Sequence, residues 1–285
     1  MGPTVREALA RGRRILRCAG VPEAAVDAEV LLAHVMATDR LALYRDPGRV
    51  LTGREWALFC DLVGRRSRRE PVAYLTGRKE FMGLTFQVNR AVLIPRPETE
   101  LLVERALALL SGQEAPVVAE AGTGCGAVAV SVARYHPGAR VYATDISEEA
   151  LAVAGENAAR HGVSGRVFFY RGDLLAPLEF LAGGVDLVAA NLPYVPSGEM
   201  AALPPDVRDY EPHAALDGGP DGLALHRRLL PQAAGLLRPG GSLLLELGPG
   251  QSRVLAELLA DEGWRRIEVL RDYGRRERVV EAVRP

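Results

Sequence analysis

Apolar residues recur over the first quarter of the chain at the three-and-four spacing of amphipathic helices. Ala8, Leu9, Ile15 and Leu16 follow Thr4-Val5-Arg6-Glu7, whose Thr and Glu have the spacing of a capping box. Pro22 opens a second segment with Val26, Val30, Leu31 and Val35 in helical register. Asp46-Pro47-Gly48 breaks the pattern, and Thr52 can cap a third helix carrying Trp56, Leu58, Phe59 and Leu62. Together they predict a small helical bundle over residues 1–75, each apolar stripe serving as core. Alternation then replaces helical spacing: 75–81 and 84–88 read as hairpin strands turning at Met82-Gly83. Next comes Ile94-Pro95-Arg96-Pro97-Glu98-Thr99-Glu100, whose prolines bar strand and helix until Pro97 opens a helix over 98–110. Residues 76–97 therefore read as a β-hairpin linker, acting as a hinge or as one wall of a pocket.

From residue 98 to 285 strand and helix patterns alternate, the signature of a doubly wound α/β sheet. Candidate strands cover 117–121, 140–145, 167–170, 185–190 and 242–247, with two late ones at 266–270 and 278–283. Candidate helices cover 127–135, 148–161 and 223–237. Asp217-Gly218-Gly219-Pro220-Asp221-Gly222 is the richest turn segment and is expected to be a mobile surface loop near the site.

Composition narrows the class. The 285 residues are 48% hydrophobic and 25% charged, as in soluble globular proteins, and the net charge of −1 is not that of an electrostatic nucleic-acid binder. The run Arg65-Arg66-Ser67-Arg68-Arg69 reads as a solvated helix end. Cys18, Cys60 and Cys125 are too scattered for a disulfide framework, and the five histidines lack metal-ligand spacing, so no metal is expected. Neither a membrane span nor a signal peptide is apparent, which predicts a cytoplasmic protein with free thiols.

The chemistry gathers at strand ends. Gly122-Thr123-Gly124-Cys125-Gly126 lies between the first strand and its helix, where glycines let a ligand approach the backbone. Asp145 ends the next strand about 20 residues on, where a carboxylate can hold ribose hydroxyls. Asp173 ends the third and could reach an adenine amino group, with Leu174 packed on the ring. S-adenosylmethionine has no phosphates, so its site uses acidic residues and a looser glycine turn; Glu120 before the glycines, a second acidic strand end at Asp173 and the tetrapeptide Asn191 to Tyr194 together favour it over a dinucleotide. Asn191-Leu192-Pro193-Tyr194 follows the fourth strand. The Asn191 side-chain carbonyl and the Leu192 main-chain carbonyl could hold both protons of a planar NH2 group, with Tyr194 over its face. Alone, the tetrapeptide reads equally well as a strand-ending turn.

The chain resembles the peptide chain release factor glutamine methyltransferases through Pro71 to Gly77, Glu80-Phe81, Ile94 to Glu100, Gly122 to Gly126 and Asn191 to Tyr194. Tyr210-Glu211-Pro212 and Arg271 to Val279 extend the resemblance. It implies a Rossmann-like class I S-adenosylmethionine methyltransferase with a seven-stranded sheet and antiparallel last strand, preceded by a helical substrate-recognition domain. It implies S-adenosylmethionine as donor, held by Gly122, Thr123, Gly124, Cys125, Gly126, Asp145, Asp173, Leu174 and Asn191. The acceptor would be the glutamine of a Gly-Gly-Gln loop, held by Asn191, Leu192, Pro193 and Tyr194, with Asn191, Pro193 and Tyr194 serving catalysis. Release factors are the expected partners, without direct nucleic-acid or membrane contact, and the enzyme is expected to be a monomer. Glu120 and Leu192 depart from the usual aspartate and proline. Asn-Leu-Pro-Tyr is also the form found in ribosomal RNA adenine dimethyltransferases, which keeps an RNA substrate open, alongside a ribosomal-protein glutamine and a scaffold that only binds.

Overall fold

The computed structural model describes residues 2–285. Its elements run α1 (Val5–Cys18), α2 (Ala24–Val35), α3 (Arg40–Arg45), α4 (Gly53–Ser67), α5 (Val72–Thr76), β1 (Arg78–Phe81), β2 (Leu84–Gln87), α6 (Glu100–Leu110) and β3 (Val117–Ala121). They continue α7 (Ala127–Tyr135), β4 (Arg140–Asp145), α8 (Glu148–Arg160), β5 (Val167–Arg171), β6 (Val185–Ala190), α9 (Pro205–Arg208), α10 (Ala224–Leu236), β7 (Leu237–Glu246), α11 (Ser252–Asp261), β8 (Arg265–Arg271) and β9 (Glu277–Val283). Two compact units result: residues 1–78 with 204–210, and 79–203 with 211–285.

The first unit is a helical bundle. Thr4 and Thr52 form reciprocal capping boxes with Glu7 and Glu55, satisfying main-chain donors that the first turns of α1 and α4 would leave orphaned. Leu9, Leu16, Leu31, Leu32, Phe59 and Leu62 meet in its core. Two expectations fail here. Leu75 and Thr76 lie in α5, not in a strand, because Pro71 starts a helical turn that Gly77 ends in the left-handed region. The basic run is not simply solvated: Arg66 is 5% exposed and bonds Asp27 at 2.7 Å as well as the carbonyls of Arg69 and Glu70. The α4 stripe carries this arginine inward because a partner carboxylate waits on α2.

The second unit holds a sheet of order β5-β4-β3-β6-β7-β9-β8. β9 alone runs against the rest, slotted between β7 and β8. The chain moves outward from β3 to β4 and β5, then returns to place β6 on the other flank of β3. The β3/β6 boundary is therefore the topological switch point, the place where open α/β sheets bind ligands. The register is decisive: Ala121 pairs with Thr144 and with Ala190, and Ala190 pairs with Leu245. The next residue on each strand is Asp145, Gly122, Asn191 or Glu246, so these four stand side by side along the carboxyl edge. Val188, Leu229, Leu243, Leu245 and Val280 are among the buried residues beneath.

Candidate active site

A cavity of about 340 Å³ opens at this edge, within the size range of small-molecule sites. Gly122, Gly124, Asp145, Ile146, Asp173, Leu174, Asn191, Leu192 and Pro193 line it, with Arg90 to Leu93 as another wall. This wall lies between β2 and the proline segment that begins at Ile94.

The glycine loop owes its shape to main-chain bonds. Gly122 and Gly124 adopt φ of +73° and +55°, and the amides of Gly122 and Thr123 both donate to the Thr144 carbonyl at 2.9 Å. Asp145 Oδ2 accepts from Gly124 N and Oδ1 from Ser147 N, both at 2.9 Å, so this carboxylate binds the loop to the start of α8. Three predicted donor-site residues lie outside the lining: Thr123 and Cys125 are buried, and Gly126 starts α7. Thr123 Oγ1 instead donates to Glu120 Oε2 at 2.7 Å, and Ala129 N donates to the same oxygen at 3.1 Å. Glu120 therefore braces the loop from beneath, and burial raises its pKa to about 7. Burial also lifts the Cys125 thiol to about 12, which makes it inert. Asp173 is paired with Arg228 of α10, and Leu174 sits beside it at φ +49°.

Asn191 Nδ2 donates to Thr99 Oγ1 at 3.1 Å. No described residue donates to Asn191 Oδ1 or to the Leu192 carbonyl, so two adjacent acceptors are unengaged where the turn lines the cavity. Leu192 is buried. Tyr194 stands apart from the lining; burial raises the pKa of its phenol, and Glu246 adds to that. Its carbonyl accepts from Gln251 Nε2 at 2.8 Å, while Gln251 Oε1 accepts from Gly248 N.

Several contributors are silent in the sequence. Asn157 on α8 bonds both main-chain groups of Gln87 and the Cys125 carbonyl, tying β2 to the glycine loop. An asparagine within a helical apolar pattern was the only signal for it. Glu211 accepts from Ile94 N at 3.0 Å and from Arg96 at 2.5 Å, fixing the segment that leads to Thr99. The segment 217–222 is tied down, not loose: Gly218 N donates to the Val195 carbonyl, Ser197 Oγ donates to Asp217, and Gly222 lies against the Tyr194 carbonyl.

The lining suits S-adenosylmethionine. Asp145, Glu149 and Asp173 are anionic beside apolar Ile146, Leu174 and Leu192, a mixture fit for a cationic, phosphate-free nucleoside and hostile to a pyrophosphate. Among the described residues no group of His, Cys, Asp or Glu could hold a metal ion, and no helix is long and apolar enough to cross a membrane.

The PrmC N-terminal domain family matches residues 7–77 and a methyltransferase domain family matches residues 118–208. The release factor glutamine methyltransferase of Moorella thermoacetica is 46% identical over 99% of both chains. That of Deinococcus radiodurans is 41% identical over 98% of both. Among solved structures, the hMettl16 catalytic domain in complex with MAT2A 3′UTR hairpin 6 aligns with a TM-score of 0.58 and 16% identity, over 78% of this chain and 81% of that one. The ribosomal protein L11 methylase of Lactobacillus delbrueckii subsp. bulgaricus aligns at 0.50 and 22%, over 70% and 84%. These two show the class I methyltransferase fold alone, whereas the curated relatives match both units, which disfavours the RNA and ribosomal-protein alternatives. The chain, an S-adenosylmethionine-dependent methyltransferase, belongs to the release factor glutamine methyltransferases.

Proposed function

We propose that Asn191 and Leu192 hold the side-chain amide of a release factor glutamine while its nitrogen is methylated. The observation that carries this reading is the pair of unengaged carbonyls, Asn191 Oδ1 and Leu192 O, at the cavity lining. Two acceptors there match the two protons of a primary amide.

Gly122, Gly124, Asp145, Asp173 and Leu174 would hold the donor, which when bound supplies an electrophilic methyl group on a sulfonium. Asp145 has lone pairs left beyond its two main-chain bonds for ribose hydroxyls. Thr123, Cys125 and Gly126 contribute through the backbone shape of the loop. Asn191 and Leu192 orient the acceptor, and Pro193 stiffens the turn. An amide nitrogen is a weak nucleophile because its lone pair is delocalised, so orientation and electrostatic support of the developing charge are what the chain provides. Hydrogen bonds from the NH2 to two carbonyls strengthen as the nitrogen becomes positive, and the surplus proton leaves along one of them to water. Tyr194 acts by holding the turn through its packing and its clasped carbonyl.

Residues 1–75 would recognise the release factor, 76–97 would link and wall the site, and 98–285 would catalyse. The working form would be a cytoplasmic monomer without direct nucleic-acid contact. Transfer of labelled methyl to an intact release factor, with a Gln→Ala substitution in its Gly-Gly-Gln loop and free ribosomal RNA alongside, tests the whole. Asn191→Ala is expected to lower kcat about a hundredfold while donor affinity falls less. Equal loss of both would reduce Asn191 to a donor-site residue.

A further inference from the structure

Holding a glutamine amide requires one orientation of Asn191: Oδ1 towards the acceptor and Nδ2 elsewhere. The two ends of an amide are nearly equal in size, so packing does not choose between them. Nδ2 meets Thr99 Oγ1, but a hydroxyl both donates and accepts and could serve either end. The choice comes from a residue behind it. Glu246 follows Leu245, the register partner of Ala190, and so lies beside Asn191 along the sheet edge. Glu246 is 1% exposed, Thr99 lies close enough to favour its ionised form, and Oε2 has no hydrogen-bond partner among the described residues. A buried carboxyl with an unpaired oxygen is costly. An apolar side chain at the end of β7 would serve the core better.

Thr99 is equally well placed. It is 4% exposed at the end of the single turn Pro97–Thr99, and the grip of Glu211 on Ile94 and Arg96 sets the course of the chain into that turn. We propose that Thr99 and Glu246 are positioning residues for methyl transfer. The Glu246 carboxylate engages the Thr99 proton in a hydrogen bond, so Thr99 can offer Asn191 only a lone pair. Nδ2 is then fixed towards Thr99 and Oδ1 towards the acceptor. This rests on the reading of Asn191 as the acceptor-holding side chain.

The charged groups around Glu246 come from several elements: Arg278 of β9, Arg96 and Glu98 ahead of α6, and Tyr194 of the turn. His226 of α10 contacts the Glu246 main-chain carbonyl. Burial dominates and brings the carboxyl to about 7, against the Thr99 hydrogen bond and Arg278. Above that pH the carboxylate keeps Thr99 an acceptor. Below it a protonated Glu246 can donate to Thr99, whose own proton is then free to turn towards Oδ1 and release the amide.

The test uses the full chain with an intact release factor, measuring kcat, KM for the factor, donor affinity by calorimetry and folding by thermal melting. Thr99→Val is expected to lower kcat about tenfold or more, with donor affinity and KM changed less than about twofold, and Thr99→Ser to restore most of it. In the wild type kcat is expected to fall as pH drops through about 7; Glu246→Gln is expected to have low kcat at every pH and to lose that fall. Wild-type kcat in both Thr99→Val and Glu246→Gln would overturn the proposal. So would parallel loss of donor affinity with no rescue by serine. Asn191→Ala run alongside separates the two levels: if it is active, the site reading fails; if it alone is inactive, only the positioning role fails. Should Thr99→Val not fold, Thr99→Ser and the wild-type pH profile still decide.

Discussion

Gly222→Ala puts the 217–222 segment to the test as the support of the acceptor turn. A methyl group on Gly222 would fall 2.1 Å from the Tyr194 carbonyl oxygen and 2.3 Å from Gln251 Nε2. An ordinary carbon–oxygen contact needs about 3.3 Å, so one partner must retreat by roughly 1 Å. Retreat of the Tyr194 carbonyl would break its 2.8 Å bond from Gln251 and carry the Asn191–Tyr194 turn with it. The φ of +76° adds strain of about 1–2 kcal/mol for any side chain, and the lost hydrogen bond about 1 kcal/mol more. Stability should therefore fall by about 2–3 kcal/mol. A 1 Å misplacement of the acceptor should lower kcat about a hundredfold. Gly250→Ala is the control, since φ there is +80° but no atom lies within 4 Å of the added methyl. It should cost only the strain, about 1–2 kcal/mol, and leave turnover intact. Urea midpoints and saturating initial rates measure both. Turnover in Gly222→Ala equal to that of Gly250→Ala would refute the reasoning, because a clash of that size would then be absorbed without moving the turn.

Two further outcomes are expected. Glu120 has a folded pKa of about 7, raised from an ordinary 4.5. Its contribution to stability is fully present below about 4.5 and is lost as pH rises through about 7, costing on the order of 3 kcal/mol in the alkaline range. Glu120→Gln should flatten the fall in melting temperature between about pH 4.5 and 7.5, and a slope identical to wild type would remove Glu120 as its source. Asn157→Leu strands the Gln87 amide and carbonyl and the Cys125 carbonyl, so it should cost about 2–4 kcal/mol by urea unfolding. Calorimetry should show weakened donor binding, because the glycine loop loses its tie to β2; unchanged affinity would mean that the loop stands unaided.

What the sequence disclosed follows the range of the interactions. β3, β4 and β6 were legible because each is a short, mostly apolar run that ends at or just before a glycine or a polar residue. The runs end at Ala121, Asp145 and Ala190 as expected, and Gly122 and Asn191 fall where strand ends must put them. Asp145 was legible by its spacing from the glycines. Glu246 was not: it looks like the polar end of any strand, and its meaning comes from Asn191, one strand over in the register, and from Thr99, almost 150 residues away in the turn ahead of α6. Asn157 and Glu211 were hidden for the same reason, since their partners lie at residues 87 and 94. Misreadings came from local rules applied without partners. A cluster of glycines looked mobile until Val195 and Tyr194 were seen to need its small residues. The basic run looked solvated until Asp27 met Arg66.

Leu192 occupies the place where proline is usual in the family it resembles. Its side chain is 2% exposed, belongs to the apolar cluster under the sheet edge, and lies 3.5 Å from where a methyl on Gly122 would stand. A proline ring would limit the backbone of the turn by covalent geometry, which heat does not loosen. Here the same turn is ordered by packing, which weakens as the surrounding core begins to breathe. The turn proposed to hold the acceptor and the loop proposed to hold the donor thus share one side chain as a common keystone, and its firmness is that of the core. Turnover in this enzyme should therefore report the loosening of the core at temperatures below those at which the chain unfolds.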